Sequence, residues 1–346
     1  MNYIGSKYSL MDFLQNVISE TLQLNNEPKT ADEMVFADLF AGTGVVSGSF
    51  KQKGYSIIAN DIQYYSYAIT KHMIENNGNL DKKRCEKLIE ELNQLNGIEG
   101  FIYNNYSFEG TLGQEFRRMY FSAFNAKKCD AIRTEIENWL QEEKISEHEY
   151  FFLLASLINS IDKYANTASV YGAYLKTLKR SAQKEMTLSP LTIMPGTVDC
   201  KVYNEDASTL IDKISGDILY LDPPYNARQY CTNYHLLETI AKYDNPTIKG
   251  KTGLRDYSEQ KSVFCMKNKV TQAFENLIKT AKFKYIFLSY NNEGLMSFES
   301  IKSIMEKYGT YKVYTHKHRR FKADNARKNK AASTIEYLHC LLKPDL

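Results

Sequence analysis

The residues best suited to chemistry form the run Asp222-Pro223-Pro224-Tyr225, which directly follows the apolar stretch from Ile218 to Leu221. A short apolar run bounded by turn-forming residues predicts a buried strand of an α/β sheet, and ligands of such sheets bind at the carboxyl ends of the strands. The run supplies a carboxylate, two residues without a backbone N–H and an aromatic ring. These groups can accept hydrogen bonds from an amine and stack on a flat ring. A rigid turn with a surface aspartate is the alternative interpretation of this run taken alone.

A second motif favours the chemical interpretation. The apolar stretch from Val35 to Asp38 leads into a glycine-rich turn at Gly42 and Gly44, and the following residues predict a helix. The glycine spacing differs from the dinucleotide fingerprint, and no Gly-Lys-Ser/Thr follows it, so a P-loop is not predicted. The next predicted strand ends at Asp61, where an acid can hold a ribose diol. The sequence therefore predicts a nucleotide-like ligand against this turn.

These motifs together resemble those of Dam-like, S-adenosylmethionine-dependent DNA adenine-N6 methyltransferases. The amino-terminal segment Asn2-Tyr3-Ile4-Gly5-Ser6-Lys7-Tyr8 resembles the first cofactor motif of that class, and the matching pieces extend to about residue 245 in the expected order. The resemblance implies an α/β fold with a Rossmann-like methyltransferase sheet and helices on both faces. It also implies S-adenosylmethionine as cofactor, without a metal, and double-stranded DNA as partner.

The same resemblance assigns roles to individual residues. It implies that Asp222, Pro223, Pro224 and Tyr225 form the catalytic loop. The cofactor-binding residues that it implies are Tyr3, Gly5, Ser6, Lys7, Asp38, Phe40, Ala41, Gly42, Thr43, Gly44, Asp61, Ile62, Asp206, Ala207 and Asp222. For Asp206, capping of the helix that follows is an alternative role, and the two roles are compatible.

The groups in the loop suggest a direct mechanism. Hydrogen bonds from adenine N6–H to the Asp222 carboxylate and the Pro223 carbonyl would stabilise positive charge that develops on nitrogen, while Tyr225 stacks on the ring. The base must be flipped out of the duplex to reach the loop. No cysteine is placed for a covalent mechanism. We expect His235 to be a structural or capping residue, since methyl transfer to an amine does not require a base.

Composition limits the class of protein. The chain has 346 residues, of which 43% are hydrophobic and 25% charged, which is typical of a globular protein with one large or two ordinary domains. It contains no 18-residue apolar stretch, and its amino terminus lacks a signal-peptide pattern, so we expect a cytoplasmic protein of bacterial type without a membrane partner. The six cysteines form no C-x-x-C pair, which argues against zinc and against a disulfide scaffold.

The helical pattern changes along the chain. Helices are predicted at 8–24, 64–76 and 149–164, and polar helical sequence fills 81–144 except for a predicted loop at 101–113. The run 166–180 continues this region with basic and aromatic residues, which predict either a solvated helix face with its aromatic side chains packed inward or a nucleic-acid contact. We therefore expect a helical insertion at 78–196 in a catalytic domain made of 1–77 and 197–346. The resemblance implies that the insertion recognises the target sequence.

Basic and aromatic residues are candidates for nucleic-acid contact. Lys and Arg neutralise phosphates, and Tyr can stack or bind sugar. The net charge of +3 is too small to decide this, so the local distribution matters. A basic stretch at 311–330 predicts a hairpin along a nucleic-acid backbone, and Ser333 to Leu342 predicts a final strand. The candidate contacts are Tyr171, Lys176, Lys179, Arg180, Arg228, Tyr230, Lys249, Lys251, Arg319, Arg320 and Lys322.

Several alternatives stay open at this point. Cytosine N4 or RNA adenine N6 could be the target, although the first loop residue is Asp rather than the Ser more common in N4 enzymes. A nucleotide-dependent oxidoreductase fits the glycine spacing poorly. A non-catalytic DNA-binding module would have no reason to keep Asp38, Gly42, Asp61 and Asp222 together. The expected role is modification in a restriction-modification system, with a restriction endonuclease as functional partner.

Overall fold

Seven strands of the described residues join into one mixed sheet. The computed structural model describes residues 5–196, 198–319 and 333–344. In chain order the strands are β1 (Val35–Asp38), β2 (Ser56–Asn60), β3 (Cys200–Tyr203), β4 (Ser215–Leu221), β5 (Ile248–Lys249), β6 (Leu254–Arg255), β7 (Lys282–Asn291), β8 (Thr310–Arg319) and β9 (Ser333–Leu342). The sheet has the order β3-β2-β1-β4-β7-β9-β8, and β5 and β6 form a separate antiparallel pair.

The first five strands of this order run parallel to one another. β1 pairs with β2 on one side and β4 on the other, and β7 continues the parallel series beyond β4. β9 then pairs antiparallel with both β7 and β8. The direction of strand progression reverses between β1 and β4, which is the position where open α/β sheets bind ligands. The predicted α/β fold is confirmed, and the motifs lie where its chemistry is expected.

The described residues form twelve α-helices. The α-helices are α1 (Met11–Leu24), α2 (Val45–Gln52), α3 (Tyr64–Glu75), α4 (Lys82–Gln94), α5 (Phe101–Tyr106), α6 (Ala123–Gln141), α7 (Glu147–Tyr164), α8 (Ala207–Leu210), α9 (Tyr230–Asn233), α10 (His235–Lys242), α11 (Val270–Thr280) and α12 (Phe298–Glu306). Among the described helices, none combines the length and apolar character needed to cross a bilayer.

One of two compact units contains the large sheet. This sheet unit comprises Gly5–Ile62, Gly196–Gln229 and Gln260–Leu346. The apolar residues of β4 and β7, such as Leu219 and Ile286, are fully buried and pack with residues of α11 and α12 in one hydrophobic core. Burial on both faces explains why these strands have continuous apolar sequences instead of alternating ones.

The other unit is mainly helical and has its own core. This helical unit includes Gln63–Pro195 and Tyr230–Glu259. Its core joins residues of α3, α4, α6, α7 and α10, and Trp139 is buried there. The unit therefore contains α3 and α10 in addition to most of the predicted insertion 78–196. That the insertion recognises a DNA sequence stays a prediction.

Two local predictions in the helical unit were wrong. The predicted loop at 101–113 begins with α5, because both carboxylate oxygens of Asp130 accept hydrogen bonds from the backbone N–H groups of Ile102 and Tyr103. A partner from another helix thus satisfies the free N–H groups of the first turn. The run 166–180 does not continue α7 as a helix. There the Asn166 side chain binds the carbonyls of Met119 and Leu175 and holds an irregular segment.

Candidate functional site

Four aspartates lie at the carboxyl ends of four adjacent parallel strands. Asp38 is the last residue of β1, Asp61 follows β2, and Asp206 comes three residues after the end of β3. Asp222 directly follows β4, the partner of β1 on the other side. Because carboxyl ends of parallel strands meet at one edge, the sheet gathers four acids that are far apart in sequence.

The glycine-rich turn links the first two of these acids. Gly42 and Gly44 have φ angles of 55° and 72°, in the left-handed region that favours glycine. The backbone N–H of Gly42 donates to Oδ2 of Asp61 at 2.9 Å, and the N–H of Ala41 donates to the carbonyl of Asn60 at 2.9 Å. These two hydrogen bonds therefore hold the turn against the end of β2. Phe40 and Thr43 belong to the same turn.

Asp38 lies in the interior at this edge. Its side chain is 1% exposed, and Oδ2 accepts a hydrogen bond from the Ser47 hydroxyl at 2.7 Å. Its other oxygen, Oδ1, is buried and has no hydrogen-bond partner among the described residues. Burial raises the pKa of Asp38 to about 7, and the nearby Asp222 adds to the rise. A buried carboxylate oxygen in this position can accept a hydrogen bond from a ligand.

Asp206 caps a helix, as its alternative role predicted. Its Oδ1 accepts a hydrogen bond from the backbone N–H of Ser208 at 2.8 Å at the start of α8. Ala207 is buried next to it. One carboxylate oxygen is enough for the cap, so the other can still accept from a ligand.

Lys7 connects the amino-terminal segment to the Asp-Pro-Pro-Tyr loop. Its Nζ lies 2.9 Å from Oδ1 of Asp222 and donates to the Tyr225 hydroxyl at 2.8 Å. Only 5% of the Lys7 side chain is exposed, whereas Asp222 is 17% exposed. The Tyr225 hydroxyl in turn donates to the same Oδ1 of Asp222 at 2.7 Å. The three groups form a closed triangle in which one carboxylate oxygen receives both donors.

Tyr225 is held from several sides. Its backbone carbonyl accepts from the N–H of Leu295 at 2.9 Å, and its ring packs against Tyr290 with centroids 4.8 Å apart. Its hydroxyl also lies 3.2 Å from the Ser289 hydroxyl at the carboxyl end of β7. Burial raises the pKa of Tyr225 well above the ordinary value, and the Asp222 carboxylate adds to the rise. The hydroxyl therefore stays protonated and acts as a donor.

Sequence reasoning missed several polar residues beside this loop. Ser289 and Tyr220 lie on β7 and β4, and the Tyr220 hydroxyl is buried with no hydrogen-bond partner among the described residues. Glu336 on β9 is 9% exposed, and burial raises its pKa. The only local signal for Glu336 was an acid within a predicted strand, on the alternating face that it shares with Leu338.

The candidate nucleic-acid contacts are spread over both units. In the helical unit Lys176, Arg180, Lys249 and Lys251 are exposed, and Lys179 is half-buried with its Nζ donating to the carbonyl of Thr167 at 3.0 Å. Arg228 is exposed in the sheet unit, and Tyr230 is half-buried in the helical unit, where its ring stacks near Tyr234. Arg320 and Lys322 lie outside the described residues, as does Tyr3 of the predicted cofactor-binding set, and Arg319 is described only as the last residue of β8.

Two residues of the helical unit are structural in this geometry. Tyr171 was predicted to contact nucleic acid. Its side chain is fully buried and its hydroxyl donates to Asp162 at 2.8 Å, so this prediction was wrong. His235 is also fully buried, with Nε2 3.0 Å from the carbonyl of Tyr171. Burial lowers the pKa of His235 to about 4. The expected structural role of His235 agrees with this position.

Comparison with known proteins finds a family model and several relatives that are all described as methyltransferases. Residues 3–310 match the family model for D12 class N6 adenine-specific DNA methyltransferases. The chain is 50% identical over 345 residues to the Type II methyltransferase M.NlaIII of Neisseria lactamica, with 99% of each protein covered. It is 38% identical over 334 residues to the Type II methyltransferase M.CviAII of Paramecium bursaria Chlorella virus 1, with 93% of each covered.

A longer relative matches over part of its length. The chain is 43% identical over 354 residues to the Type II methyltransferase M.FokI of Planomicrobium okeanokoites. The match covers 99% of this chain but 53% of that protein. The chain thus spans about half of M.FokI.

Proposed function

This chain belongs to the D12 class of N6 adenine-specific DNA methyltransferases, and we propose that it transfers a methyl group from S-adenosylmethionine to N6 of a flipped-out adenine in duplex DNA. The observation that carries the proposal is the Asp222 carboxylate, held by Lys7 and Tyr225 at the point where strand order reverses. A carboxylate fixed in this way can receive an amine without reorganising during the reaction.

The names of the relatives support a biological setting. M.NlaIII and M.CviAII are named Type II methyltransferases, and another relative is named modification methylase StsI. We propose that this chain likewise modifies DNA within a restriction-modification system, and that a restriction endonuclease is its functional partner. The pairing implies no physical contact.

The sheet edge fits S-adenosylmethionine. Oδ1 of the buried Asp38 has no hydrogen-bond donor within the described part of the chain, and the turn at Gly42 and Gly44 is held against Asp61. We propose that these residues hold it together with Gly5, Ser6, Lys7, Phe40, Ala41, Thr43, Ile62, Asp206, Ala207 and Asp222. When bound, S-adenosylmethionine supplies a methyl group on a cationic sulfur, which an amine in line can accept without acid catalysis.

The loop residues orient the acceptor amine. Lys7 and Tyr225 both bind Oδ1 of Asp222, which leaves Oδ2 for a hydrogen bond from adenine N6–H. The carbonyl of Pro223 can accept a hydrogen bond from the second N6–H. The two consecutive prolines restrict the backbone of the loop, so this carbonyl is held in place before the base binds. Positive charge that develops on N6 is then stabilised by the carboxylate. The Tyr225 ring stacks on the flipped base.

An exposed face of the helical unit is a candidate for DNA contact. Leu112 is 69% exposed in a turn. In this turn the Thr111 hydroxyl donates to the carbonyl of Ser107 and accepts from the backbone N–H of Arg118. Next to it, the carbonyl of Arg117 accepts from the Tyr174 hydroxyl, which brings the turn beside the segment of exposed Lys176. Cations neutralise phosphates and an exposed apolar side chain can wedge between base steps, so this face suits a duplex.

The test is transfer of labelled methyl from S-adenosylmethionine to duplex DNA, followed by nucleoside analysis. We expect N6-methyladenine from the wild type and none from Asp222→Asn, which keeps the shape but removes the negative charge. Asp212→Asn, an exposed aspartate of the same unit, is the matched control and should be fully active. If the label is found in N4-methylcytosine, the target base is cytosine and the adenine part of the proposal is wrong. Label found in RNA and absent from DNA would refute it.

A further inference from the structure

The residues that follow Tyr225 form a short loop whose two ends are both held. At its start, the Tyr225 carbonyl accepts a hydrogen bond from the backbone N–H of Leu295 at 2.9 Å. At its end, the Gln229 side chain binds both backbone groups of Ser262: Nε2 donates to the carbonyl at 3.1 Å, and Oε1 accepts from the N–H at 2.9 Å. Residues 226–228, between these two anchors, are exposed. The loop is therefore fixed at its base and open to solvent at its tip.

The main chain of Arg228 is held within this loop. Its N–H donates to Oδ1 of Asn226 at 2.9 Å, and its carbonyl accepts from the Cys265 thiol at 3.5 Å. The next residue, Gln229, is the one that binds Ser262. These contacts restrain the backbone of Arg228, although the residue is exposed. A cation on a restrained backbone loses little conformational freedom when it binds an anion, which favours binding.

The segment around Ser262 is attached to residues of the proposed cofactor site. The Phe264 ring lies edge-on to the Phe40 ring, with centroids 5.1 Å apart. The Gln260 side chain donates to the carbonyl of Ile62 at 3.2 Å. Phe40 and Ile62 both belong to the residues that we propose to hold S-adenosylmethionine. The anchor of the loop is therefore tied to the sheet unit at two further points.

Charge indicates the partner of this loop. The carboxyl ends of the strands carry the four aspartates described above, and Lys7 pairs with one of them, Asp222. DNA is itself a polyanion, so an acidic edge repels its backbone unless a cation lies beside it. Arg228 follows Tyr225 by three positions, which limits the distance between their Cα atoms to about 11 Å. A guanidinium this close to the stacking ring can bind a phosphate next to the stacked base through two parallel hydrogen bonds.

We propose that Arg228 binds a phosphate next to the flipped adenine and that Gln229 is the positioning residue that holds Arg228 in place for this contact. The phosphate contact fixes the nucleotide from its backbone side while Tyr225 stacks on its base, so two points place the acceptor amine. Gln229 acts through the main chain of the loop. This inference rests on the proposed function, because it requires a flipped nucleotide at Tyr225.

The first test removes charge from each side of the contact. DNA binding is measured with a duplex whose methylated adenine has been mapped, and with two duplexes that carry a neutral methylphosphonate on one or the other side of that adenine. The wild type should bind one neutral duplex about 10-fold more weakly than the unmodified one, as expected for the loss of a charged hydrogen bond. Arg228→Met should bind that duplex and the unmodified one alike. Lys302→Met, which removes an exposed cation of α12, is the matched control and should respond as the wild type does.

The second test asks whether Gln229 acts through Arg228. Gln229→Met keeps the length of the side chain but removes both hydrogen bonds to Ser262, so DNA affinity should decrease by roughly 3- to 10-fold. The same substitution in the Arg228→Met background should cause no further loss, because residues that act as one unit are not additive. A merely structural role would lower affinity equally in both backgrounds. Gln272→Met, at an exposed glutamine of α11, is the matched control.

Conservative variants complete the series. Arg228→Lys keeps the charge and should recover part of the sensitivity to the neutral linkage. Gln229→Glu replaces Gln229→Met if the latter does not fold. Its carboxylate can still accept from the Ser262 N–H but cannot donate to the carbonyl, so its loss of affinity should be smaller and should also vanish in the Arg228→Met background.

The outcomes distinguish this inference from the proposed function. A wild-type protein that makes no N6-methyladenine refutes the proposed function, and with it the inference. An active wild type that binds both neutral duplexes as well as the unmodified one overturns the inference alone. A loss that is equal in the wild type and in Arg228→Met assigns the phosphate to another residue, which also overturns it. Equal losses from Gln229→Met in both backgrounds would show that Gln229 does not position Arg228.

Discussion

The Lys7 ammonium donates to the Tyr225 hydroxyl at 2.8 Å, although 218 positions separate the two residues in sequence. The same ammonium pairs with Asp222 at 2.9 Å. The segment before α1 therefore contacts the loop that follows β4. A charged side chain that is 5% exposed is stable only with such partners. The amino-terminal motif and the Asp-Pro-Pro-Tyr motif are thus one structural feature.

Lys7→Met should disable methyl transfer. The substitution keeps the length of the side chain but removes the ammonium, so Asp222 and Tyr225 lose their shared partner. We expect a decrease of roughly 100- to 1,000-fold in the single-turnover rate, the range seen when a preorganised donor is removed. Lys29→Met is the matched control, because Lys29 pairs with Asp217 of β4 at 2.6 Å but is 48% exposed. Equal losses of activity in both variants would contradict the role of Lys7.

Asp61→Ala should weaken S-adenosylmethionine binding. The substitution removes the acceptor of the Gly42 N–H and releases the glycine-rich turn. A hydrogen bond to a charged group contributes about 1.5–3 kcal/mol, which corresponds to an increase of roughly 10- to 100-fold in Kd. Calorimetric titration measures this directly. Asp212→Ala serves as the control, and an unchanged Kd in Asp61→Ala would remove Asp61 from the proposed site.

Asp38→Asn should change how stability depends on pH. In the folded protein the pKa of Asp38 is raised from 3.8 to about 7, so ionisation of this buried group increasingly destabilises the wild type as pH rises between these values. The amide is never ionised. The stability of Asp38→Asn relative to the wild type should therefore rise by roughly 1–3 kcal/mol between pH 5 and pH 8, or several degrees in Tm.

Thermal unfolding of the ligand-free proteins at the two pH values checks this prediction for Asp38. Asp212→Asn should show no such pH-dependent difference. A constant difference between Asp38→Asn and the wild type would mean that Asp38 does not carry the raised pKa. A relative loss of stability at pH 8 would reverse the sign and point to a stabilising ion pair instead.

The pair Lys176→Ala and Arg180→Ala should weaken DNA binding for all sequences alike. Both residues are exposed, and phosphate contacts contribute to affinity without reading bases. The slope of log K against log salt should become shallower by about one for each phosphate that is no longer neutralised. Binding to labelled duplexes at several salt concentrations measures the slope. Lys82→Ala with Lys83→Ala on α4 is the control, and an equal change there would indicate only a general effect of charge.

Sequence predicted the four acids at this sheet edge because each one lies at or shortly after the end of a predicted strand. Asp38, Asp61, Asp206 and Asp222 are all readable from local patterns, and parallel strands bring such positions to one edge without further information. Glu336 could not be found in this way. Its place beside the loop depends on the antiparallel register of β9 against β7, which no local pattern specifies.

Tertiary partners also decided the local predictions that were wrong. The helix α5 begins where Asp130 supplies acceptors from α6, and residues near 101 carry no sign of that partner. Tyr171 belongs to a basic and aromatic run, but its hydroxyl finds Asp162 and its ring is buried. In both cases an interaction made only after folding outweighs composition, which explains why loops and surfaces were harder to predict than strands.

The pairing of β1 with β4 has a consequence for biosynthesis. β1 ends at Asp38, yet the strand that covers one of its edges begins at Ser215. While the ribosome makes the intervening chain, that edge of an apolar strand has no native neighbour, and an open edge can recruit strands of other chains. Fragments that end before Ser215 should therefore aggregate, and the nascent chain should depend on chaperones until β4 has emerged from the ribosome.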